Sequence, residues 1–320
     1  MRYYIERHQE KIEKKSKERK RDYLNSLERL ITFWSDKTIF DINEKNCAAY
    51  QQTARPGKPL ADNTARRELQ DLKAMVLYGI RKLQLQLNGH IIDWELPEAP
   101  QPRMTYYSHS EVAKLVRFAY RAKNNAIGEK GHKTSKHLAR FILIAVHTGT
   151  RSEKIEQASF ENVDGRPWID VDSGIFYRAG VRNKSPLNKR ADPVRIPDRL
   201  LHQLKRWKKE GSMNVIEHNG KTGSTRRAFY ALKLKVLDEK RAKEVNRHTF
   251  KHTCASWLTQ RGVTRDIIAS FLSTTEEVIK DVYQHFSPDF HVEINDSQKR
   301  DREKRTTEAQ KRRAQAAKAA

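Results

Sequence analysis

The stretch NRHTFKHTCASWLTQRGVTRDIIASFLSTTEEVIKDVYQHFSPD, residues 246–289, decides the fold of this chain. Its pattern predicts three successive helices. The first covers about His252–Gln260 and ends at a glycine, and the second runs over Thr264–Leu272 behind a threonine that can cap it. The third begins near Ser273–Thr275 with Glu276 and Glu277 behind it, which is a capping-box pattern. This third helix has one apolar side and ends near Tyr283.

Two clusters in this stretch resemble the C-terminal half of the tyrosine recombinases, the phage-integrase type. His248, Lys251 and His252 stand where that family has H-x-x-R-H, at the start of an apolar helix. Eleven residues after Leu272 comes Tyr283, followed two positions later by a histidine, and this Y-x-H segment resembles the nucleophile segment of the family.

A third point of resemblance is Arg151. The apolar run 141–146 predicts a buried helix, and the segment HTGTR, residues 147–151, follows it directly. A glycine allows the sharp backbone turn that such a position needs. In the family, an arginine after this turn reaches the DNA phosphate that is cut. A guanidinium suits that role because its planar fork of donors fits two phosphate oxygens.

The resemblance implies DNA strand cutting by transesterification, without a cofactor. Tyr283 would attack the phosphorus and become linked to the 3′-phosphate, so that the bond energy is kept and the strand can be rejoined without metal or ATP. Arg151, Lys251 and His248 would hold the non-bridging oxygens, because positive donors stabilise the charge of the transition state. His252 would buttress this site.

The resemblance also implies a β-hairpin that presents a lysine as general acid to the leaving 5′-oxygen. Alternating β-branched and aromatic residues predict strands over 168–172, 174–178 and 193–197. A basic loop, RNKSPLNKR, joins the last two strands. Within it Lys189 is the first choice for the general acid and Lys184 the alternative, and either lysine can also be simply a charged residue at the hairpin tip.

Three residues depart from the family pattern. Lys251 stands in place of the second arginine, and lysine keeps the charge but loses the bidentate fork. Thr274 stands in place of a histidine or tryptophan, and Lys154 in place of an acidic residue. Arg247, next to His248, would supply the missing guanidinium if the alignment of this segment with the family pattern is shifted. These departures leave open a slow recombinase, an inactive DNA-binding regulator, or an enzyme like the type IB topoisomerases.

Composition points to a polyanionic partner. Lys plus Arg number 64 and Asp plus Glu number 40, which gives a net charge of +24. Such a charge repels itself unless a polyanion offsets it, and nucleic acid is the commonest one. The two cysteines, Cys47 and Cys254, lie in apolar helical patterns and indicate neither a disulfide framework nor a zinc site. No signal peptide or membrane-length apolar run is evident, so we expect a cytoplasmic protein encoded by a bacterium, a phage or another mobile element.

The first ninety residues predict a helical domain. Apolar residues recur at helical spacing from Tyr23 to Trp34 and from Leu69 to Leu83, and a further helix is predicted over Asn43–Thr53. The polar face of the long helix from about residue 63 is basic, and this layout resembles the family's core-binding domain, which grips DNA. Its candidate DNA-binding residues are Arg66, Arg67 and Lys73, and Lys184 and Arg247 are the DNA-binding candidates of the second domain.

The expected fold class is mainly α with a small β-sheet: a helical core-binding domain plus an α+β catalytic domain of the tyrosine-recombinase type. The predicted divisions are a basic arm (1–20), the helical domain (21–92), a proline-rich linker (93–107), the catalytic domain (108–290) and a basic tail (291–320). By the resemblance, the partner is double-stranded DNA, bound by a homodimer on each site and by a homotetramer in the synapse.

Overall fold

A computed structural model describes residues 1–87, 89–99, 105–124, 132–180, 190–218 and 220–283. The chain divides into two compact units, Met1–Pro102 and Arg103–Ala320. Helices dominate both units, and the described strands are few and short, so the predicted fold class is confirmed. Within the described ranges, none of the helices has the length and apolar character needed to span a bilayer.

The first unit is helical. Its α-helices are α1 (Arg2–Arg7), α2 (Gln9–Glu13), α3 (Lys17–Trp34), α4 (Glu44–Thr53) and α5 (Asp62–Leu83), with a short 3₁₀ helix at Ile39–Asp41. The core forms where the apolar faces of the three longer helices meet, as their spacing predicts. Leu30 of α3, Tyr50 of α4 and Leu69 of α5 are fully buried there.

Residues 1–20, for which the sequence predicted a basic arm, form helices that pack within the first unit. Tyr4 and His8, one helical turn apart, both meet the ring of Tyr78 on α5, with centroids 5.3 and 5.1 Å away. Ile12 is buried. These contacts therefore attach the segment to the first unit, while nearly all of its basic side chains stay exposed.

The second unit surrounds one large core. Its helices are α6 (His109–Arg121), α7 (Lys136–Thr148), α8 (Ser152–Glu156), α9 (Asp198–Lys209), α10 (Arg226–Val236), α11 (Glu239–Glu244), α12 (Thr249–Gln260), α13 (Arg265–Leu272) and α14 (Glu276–Tyr283). The strands are β1 (Lys123–Asn124), β2 (His132–Lys133), β3 (Trp168–Asp170), β4 (Ile175–Tyr177) and β5 (Val194–Arg195). β1 pairs with β2, and β3, β4 and β5 form an antiparallel sheet in that order.

Helix α7 lies at the centre of this unit and packs against α6 and α12. Its run Phe141, Ile142, Ile144 and Val146 is buried, as the unbroken apolar sequence predicts. Phe250 of α12 is fully buried, and its ring lies 6.2 Å from that of Phe141. This packing fixes the end of α7 beside the first turn of α12.

The end of the predicted linker is part of the same core. Tyr107 is fully buried, and its ring stacks on that of Phe250 at 4.6 Å. Its backbone N–H donates to Thr253 Oγ1 at 2.9 Å, and its hydroxyl donates to the carbonyl oxygen of Asn246 at 3.2 Å. Tyr107 therefore holds the entry to α12.

The three helices predicted from the opening stretch are present as α12, α13 and α14. They share a small apolar cluster of Cys254, Ala255, Ile268, Ala269, Leu272 and Ile279. Ser273 joins α13 to the turn before α14, and it adopts the left-handed conformation with φ 48°. That conformation lets the chain reverse sharply and carry α14 back against α12 and α13.

Candidate active site

Arg151 is presented by the turn that ends α7. Gly149 adopts φ +59°, which a glycine accepts without steric cost, and Arg151 then occupies the N-cap position of α8. The guanidinium Nη1 donates to the carbonyl oxygen of Arg190 at 2.7 Å. This contact joins the α7 turn to the segment that leads into β5.

Gly149 also makes room for α13. A Cβ atom at this position would lie 2.0 Å from Leu272 Cδ2. We expect Gly149→Ala to lower the free energy of unfolding of the second unit by about 2–5 kcal/mol, because left-handed strain adds to overpacking. Denaturant titration of the transition measures the loss.

Gly262→Ala is the matched control, since Gly262 has φ +76° and nothing within 4 Å of the added Cβ. It is expected to lose only about 1–2 kcal/mol, from backbone strain alone. Equal losses in the two variants would mean that the side chain of Leu272 moves aside freely and that the close packing has no energetic weight.

Lys251 lies in the first turn of α12 and faces the end of α13. Its Nζ donates to the carbonyl oxygen of Leu272 at 2.9 Å. Burial, together with the positive charges of Arg151 and Arg178, lowers the pKa of Lys251 to about 8. The ammonium group is therefore poorly solvated and is surrounded by like charge.

Arg178, directly after β4, is a cation of this site that the sequence did not single out. It is buried, and Nε donates to the carbonyl oxygen of Asp192 at 2.6 Å while Nη2 donates to Ser273 Oγ at 2.7 Å. Burial is the largest cause that lowers the pKa of Arg178, the carboxylate of Asp192 opposes it and the charge of Arg151 adds to it; the result is a pKa of about 10. The sequence signal was weak, because an arginine at the end of a predicted strand usually faces solvent.

These cations line one small pocket that is open to solvent. The residues around it are Gly149, Thr150, Arg151, Lys154, Arg178, Arg190, Ala191, Lys251 and Leu272. Five of these described lining residues are Lys or Arg, and none is acidic. A pocket with so many positive donors and no carboxylate is a site for an anion such as phosphate.

His248 and His252 occupy the start of α12. His248 is the N-cap residue and is exposed, and its backbone N–H donates to Asn246 Oδ1 at 2.8 Å. The rings of His248 and His252 meet edge to face at 5.1 Å. The structure thus places the two histidine rings against each other, and neither histidine is among the residues that line the pocket.

Residues 1–90 match the family of the phage integrase SAM-like domain. This chain is similar to a lambda integrase in the structure of its dimer bound to a COC′ core site. The match covers 88% of this chain and 94% of the integrase chain, with a TM-score of 0.58 and 14% sequence identity. The chain has the tyrosine recombinase fold.

Two structures of the Tn1549 transposon integrase have the same recombinase fold. The complex with transposon right end DNA covers 88% of this chain and 93% of its own, with a TM-score of 0.57 and 13% identity. A complex with circular intermediate DNA has the same coverage, a TM-score of 0.58 and 14% identity. Among curated proteins, no sequence matches the chain.

Within this recombinase fold, some predicted DNA-binding residues have partners inside the protein. Arg247 forms an ion pair with Glu156 and donates from Nη1 to Thr225 Oγ1 at 3.1 Å. Arg66 Nη1 donates to the carbonyl oxygen of Pro97 at 2.5 Å, and Lys73 Nζ lies 5.6 Å from the ring centroid of Trp94.

These three residues therefore fix local structure within their units, and their role in DNA contact stays a prediction. Arg67 of α5 is exposed. The proposed compensation of Lys251 by Arg247 finds no support in this arrangement, because the guanidinium of Arg247 is held by Glu156 and is not among the residues that line the pocket.

The remaining site predictions lie at the edge of what the structure describes. Lys184 and Lys189 fall in residues 181–189, outside the described ranges, and so does the tail 291–320. Tyr283 is described by its backbone, as the last residue of α14. Ile279, one helical turn earlier, is buried in the cluster shared with α12 and α13. The nucleophile segment is therefore attached to the same helices that carry Lys251 and Leu272.

Proposed function

We propose that this protein is a site-specific DNA recombinase that cuts and rejoins DNA through a 3′-phosphotyrosyl link at Tyr283. The observation that carries the proposal is the cationic pocket between the α7 turn, α12 and α13. The pocket brings together Arg151 and Lys251, which lie 100 residues apart in the chain and which the family resemblance assigned to one phosphate.

The reaction needs positive donors more than it needs bases. Attack of the tyrosine oxygen on phosphorus places negative charge on the non-bridging oxygens, and pre-arranged cations stabilise that charge without reorganisation. Arg151 offers two parallel donors, and Lys251 offers a single point charge. His248, exposed at the head of α12, adds a donor at the rim of the site, and His252 supports it from the next turn.

The leaving 5′-oxygen requires a proton as the P–O bond breaks. We assign that proton to the basic loop between β4 and β5, with Lys189 first and Lys184 second. A lysine suits the role when burial and neighbouring cations bring its pKa towards neutrality, because the proton is then given up readily. No metal ion or ATP takes part in these steps.

Double-stranded DNA is the proposed partner. The net charge of +24 supports it, because neutralised phosphates release counterions and drive binding. The solved integrases with this fold are bound to DNA, and the lambda integrase complex is a dimer. We extend this to a homodimer on each site and a homotetramer in the synapse, with the first unit gripping DNA through α5 and residues such as Arg67.

A covalent trapping experiment tests the proposal. Nicked duplexes that tile the DNA flanking the gene are incubated with the full chain, without ATP and with a chelator present. A nick just 3′ of the cleavage point lets the short fragment that carries the new 5′-hydroxyl diffuse away, so the cleaved state accumulates. We expect an adduct that survives denaturing electrophoresis and that protease digestion converts to a phosphotyrosyl peptide containing residue 283.

The other two functions give different results in the same assay. Specific, tight binding without any adduct on any duplex would identify a DNA-binding regulator, in line with the lysines at positions 154 and 251. Relaxation of supercoiled plasmid without a site requirement would identify an enzyme of the topoisomerase type. Either result would overturn the recombinase proposal.

A further inference from the structure

Arg178 connects three parts of the second unit. It follows β4 and donates to the carbonyl oxygen of Asp192, 14 residues on, at 2.6 Å and to Ser273 Oγ, 95 residues on, at 2.7 Å. The backbone N–H of Asp192 donates to the same Ser273 Oγ at 3.1 Å. Ser273 Oγ therefore accepts two hydrogen bonds, and the guanidinium is held at a fixed place under the pocket.

The protein itself offsets only part of the positive charge around Arg178. Arg178 is 2% exposed, and its two hydrogen-bond partners just described are a carbonyl and a hydroxyl, neither of which carries charge. The carboxylate of Asp192 supplies one opposite charge, whereas Arg151 and Lys251 share the pocket and add like charge. A buried charge is stable only when an opposite charge or a full set of hydrogen bonds offsets the lost hydration. A bound phosphate would supply further opposite charge to all three cations.

Ser273 has the conformation that this arrangement requires. With φ 48° and ψ 60° it occupies the left-handed region, which glycine enters more readily than serine. A glycine would fit the turn but would offer no hydroxyl to Arg178 and Asp192. The serine is thus explained by its two hydrogen bonds, not by the backbone turn.

We propose that Arg178 supplies the second guanidinium charge of the phosphate pocket, in place of the arginine that Lys251 replaces, and that Ser273 holds it there. This inference rests on the recombinase function proposed above. Lys251 keeps a charge at the head of α12 but lacks the fork of an arginine. Arg178 restores the guanidinium from another element, the strand β4.

The first test compares two DNA substrates. Arg178→Gln removes the charge and keeps a similar shape. On a normal scissile phosphate we expect cleavage about 100-fold slower than with the native chain, as for loss of one transition-state donor. A methylphosphonate at that position has a methyl group in place of one charged oxygen, so its transition state carries one negative charge fewer, and the ratio between native and variant rates should shrink about tenfold or more.

A merely structural role for Arg178 would slow both substrates by the same factor, and this result would overturn the inference. Arg178→Lys should recover part of the rate on the normal phosphate because it restores charge. Arg206→Gln is the matched control, since Arg206 is an exposed arginine of α9 paired with Glu210. It should behave as the native chain on both substrates.

The second test needs no DNA cleavage and therefore separates this inference from the proposed function. Inorganic phosphate should raise the Tm of the native chain above that in chloride of equal ionic strength. Arg178→Gln should lose most of that increase, while Arg206→Gln should keep it. Equal increases in all three proteins would overturn the role of Arg178, even if the native chain forms the covalent adduct. Loss of the increase without any adduct would support the anion site and reject the recombinase.

Discussion

Replacing Tyr283 with phenylalanine is expected to abolish the covalent protein–DNA complex and to leave DNA binding intact. The change removes one oxygen atom and keeps the aromatic ring, so the packing of α14 should persist. Without the phenolic oxygen no bond to phosphorus can form, and the cations of the pocket have no transition state to stabilise. Denaturing electrophoresis with a nicked duplex measures the adduct, and a gel-shift titration measures binding.

Tyr230→Phe is the control for this prediction. Tyr230 is a 59% exposed tyrosine of α10, and its loss should leave the adduct unchanged. An adduct at the native level with Tyr283→Phe would place the nucleophile elsewhere in the chain. The proposed function would then survive only if peptide mapping found another tyrosine.

Mixing two inactive variants tells which subunit supplies the nucleophile. Tyr283→Phe keeps a complete phosphate pocket, and Arg151→Ala keeps the tyrosine. If Tyr283 acts in the pocket of its own subunit, the mixture forms no adduct. If it acts in the pocket of a neighbour, the Arg151→Ala subunit becomes linked to DNA held by the other variant.

The sequence predicted those parts of the fold whose signals, such as helix caps and apolar spacing, lie within one short stretch of chain. The three helices of the opening stretch have caps, a glycine stop and helical apolar spacing within about forty residues. Arg151 follows an apolar run and a glycine turn, so the sequence predicted its position after the end of a buried helix. The recombinase fold followed from these two segments together.

The contacts that were missed join residues far apart in the chain. Arg178 meets Ser273 across 95 positions, and Arg247 meets Glu156 across 91. A charge pattern cannot distinguish an arginine that binds DNA from one that a distant carboxylate or hydroxyl holds. The basic face of a helix therefore suggested more cations available to DNA than the structure has. Conversely, the pattern of a short strand gave no sign that Arg178 lines the pocket.

The N-terminal segment shows a signal that was available. Tyr4 and His8 are spaced at i and i+4, and both meet Tyr78. Their spacing indicates one face of a helix with aromatic character. The many lysines between residues 11 and 20 favour a solvated arm, and most of their side chains are exposed; the aromatic spacing indicates where the segment packs.

Replacing Lys251 is expected to separate charge from geometry in the pocket. Lys251→Ala should slow cleavage by about 100- to 1000-fold, as for loss of a transition-state donor. Lys251→Arg should keep or raise the native rate, since it restores the fork that suits phosphate oxygens. Single-turnover cleavage on the nicked duplex measures both. Equal rates in the native chain and both variants would show that this position does not face the phosphate.

The pH dependence gives the sharper form of this prediction. The pKa of Lys251 is lowered to about 8, so the ammonium form is present below that pH and is lost above it. Cleavage at subsaturating DNA reports the free protein, and we expect it to fall as pH rises through about 8. Lys251→Arg should remove this fall, because an arginine stays charged throughout. A native profile with the same alkaline fall as Lys251→Arg would assign the titration to another group, such as the general acid of the hairpin. A fall that disappears in Lys251→Arg would instead show that a single positive charge at the head of α12 sets the alkaline limit of the reaction.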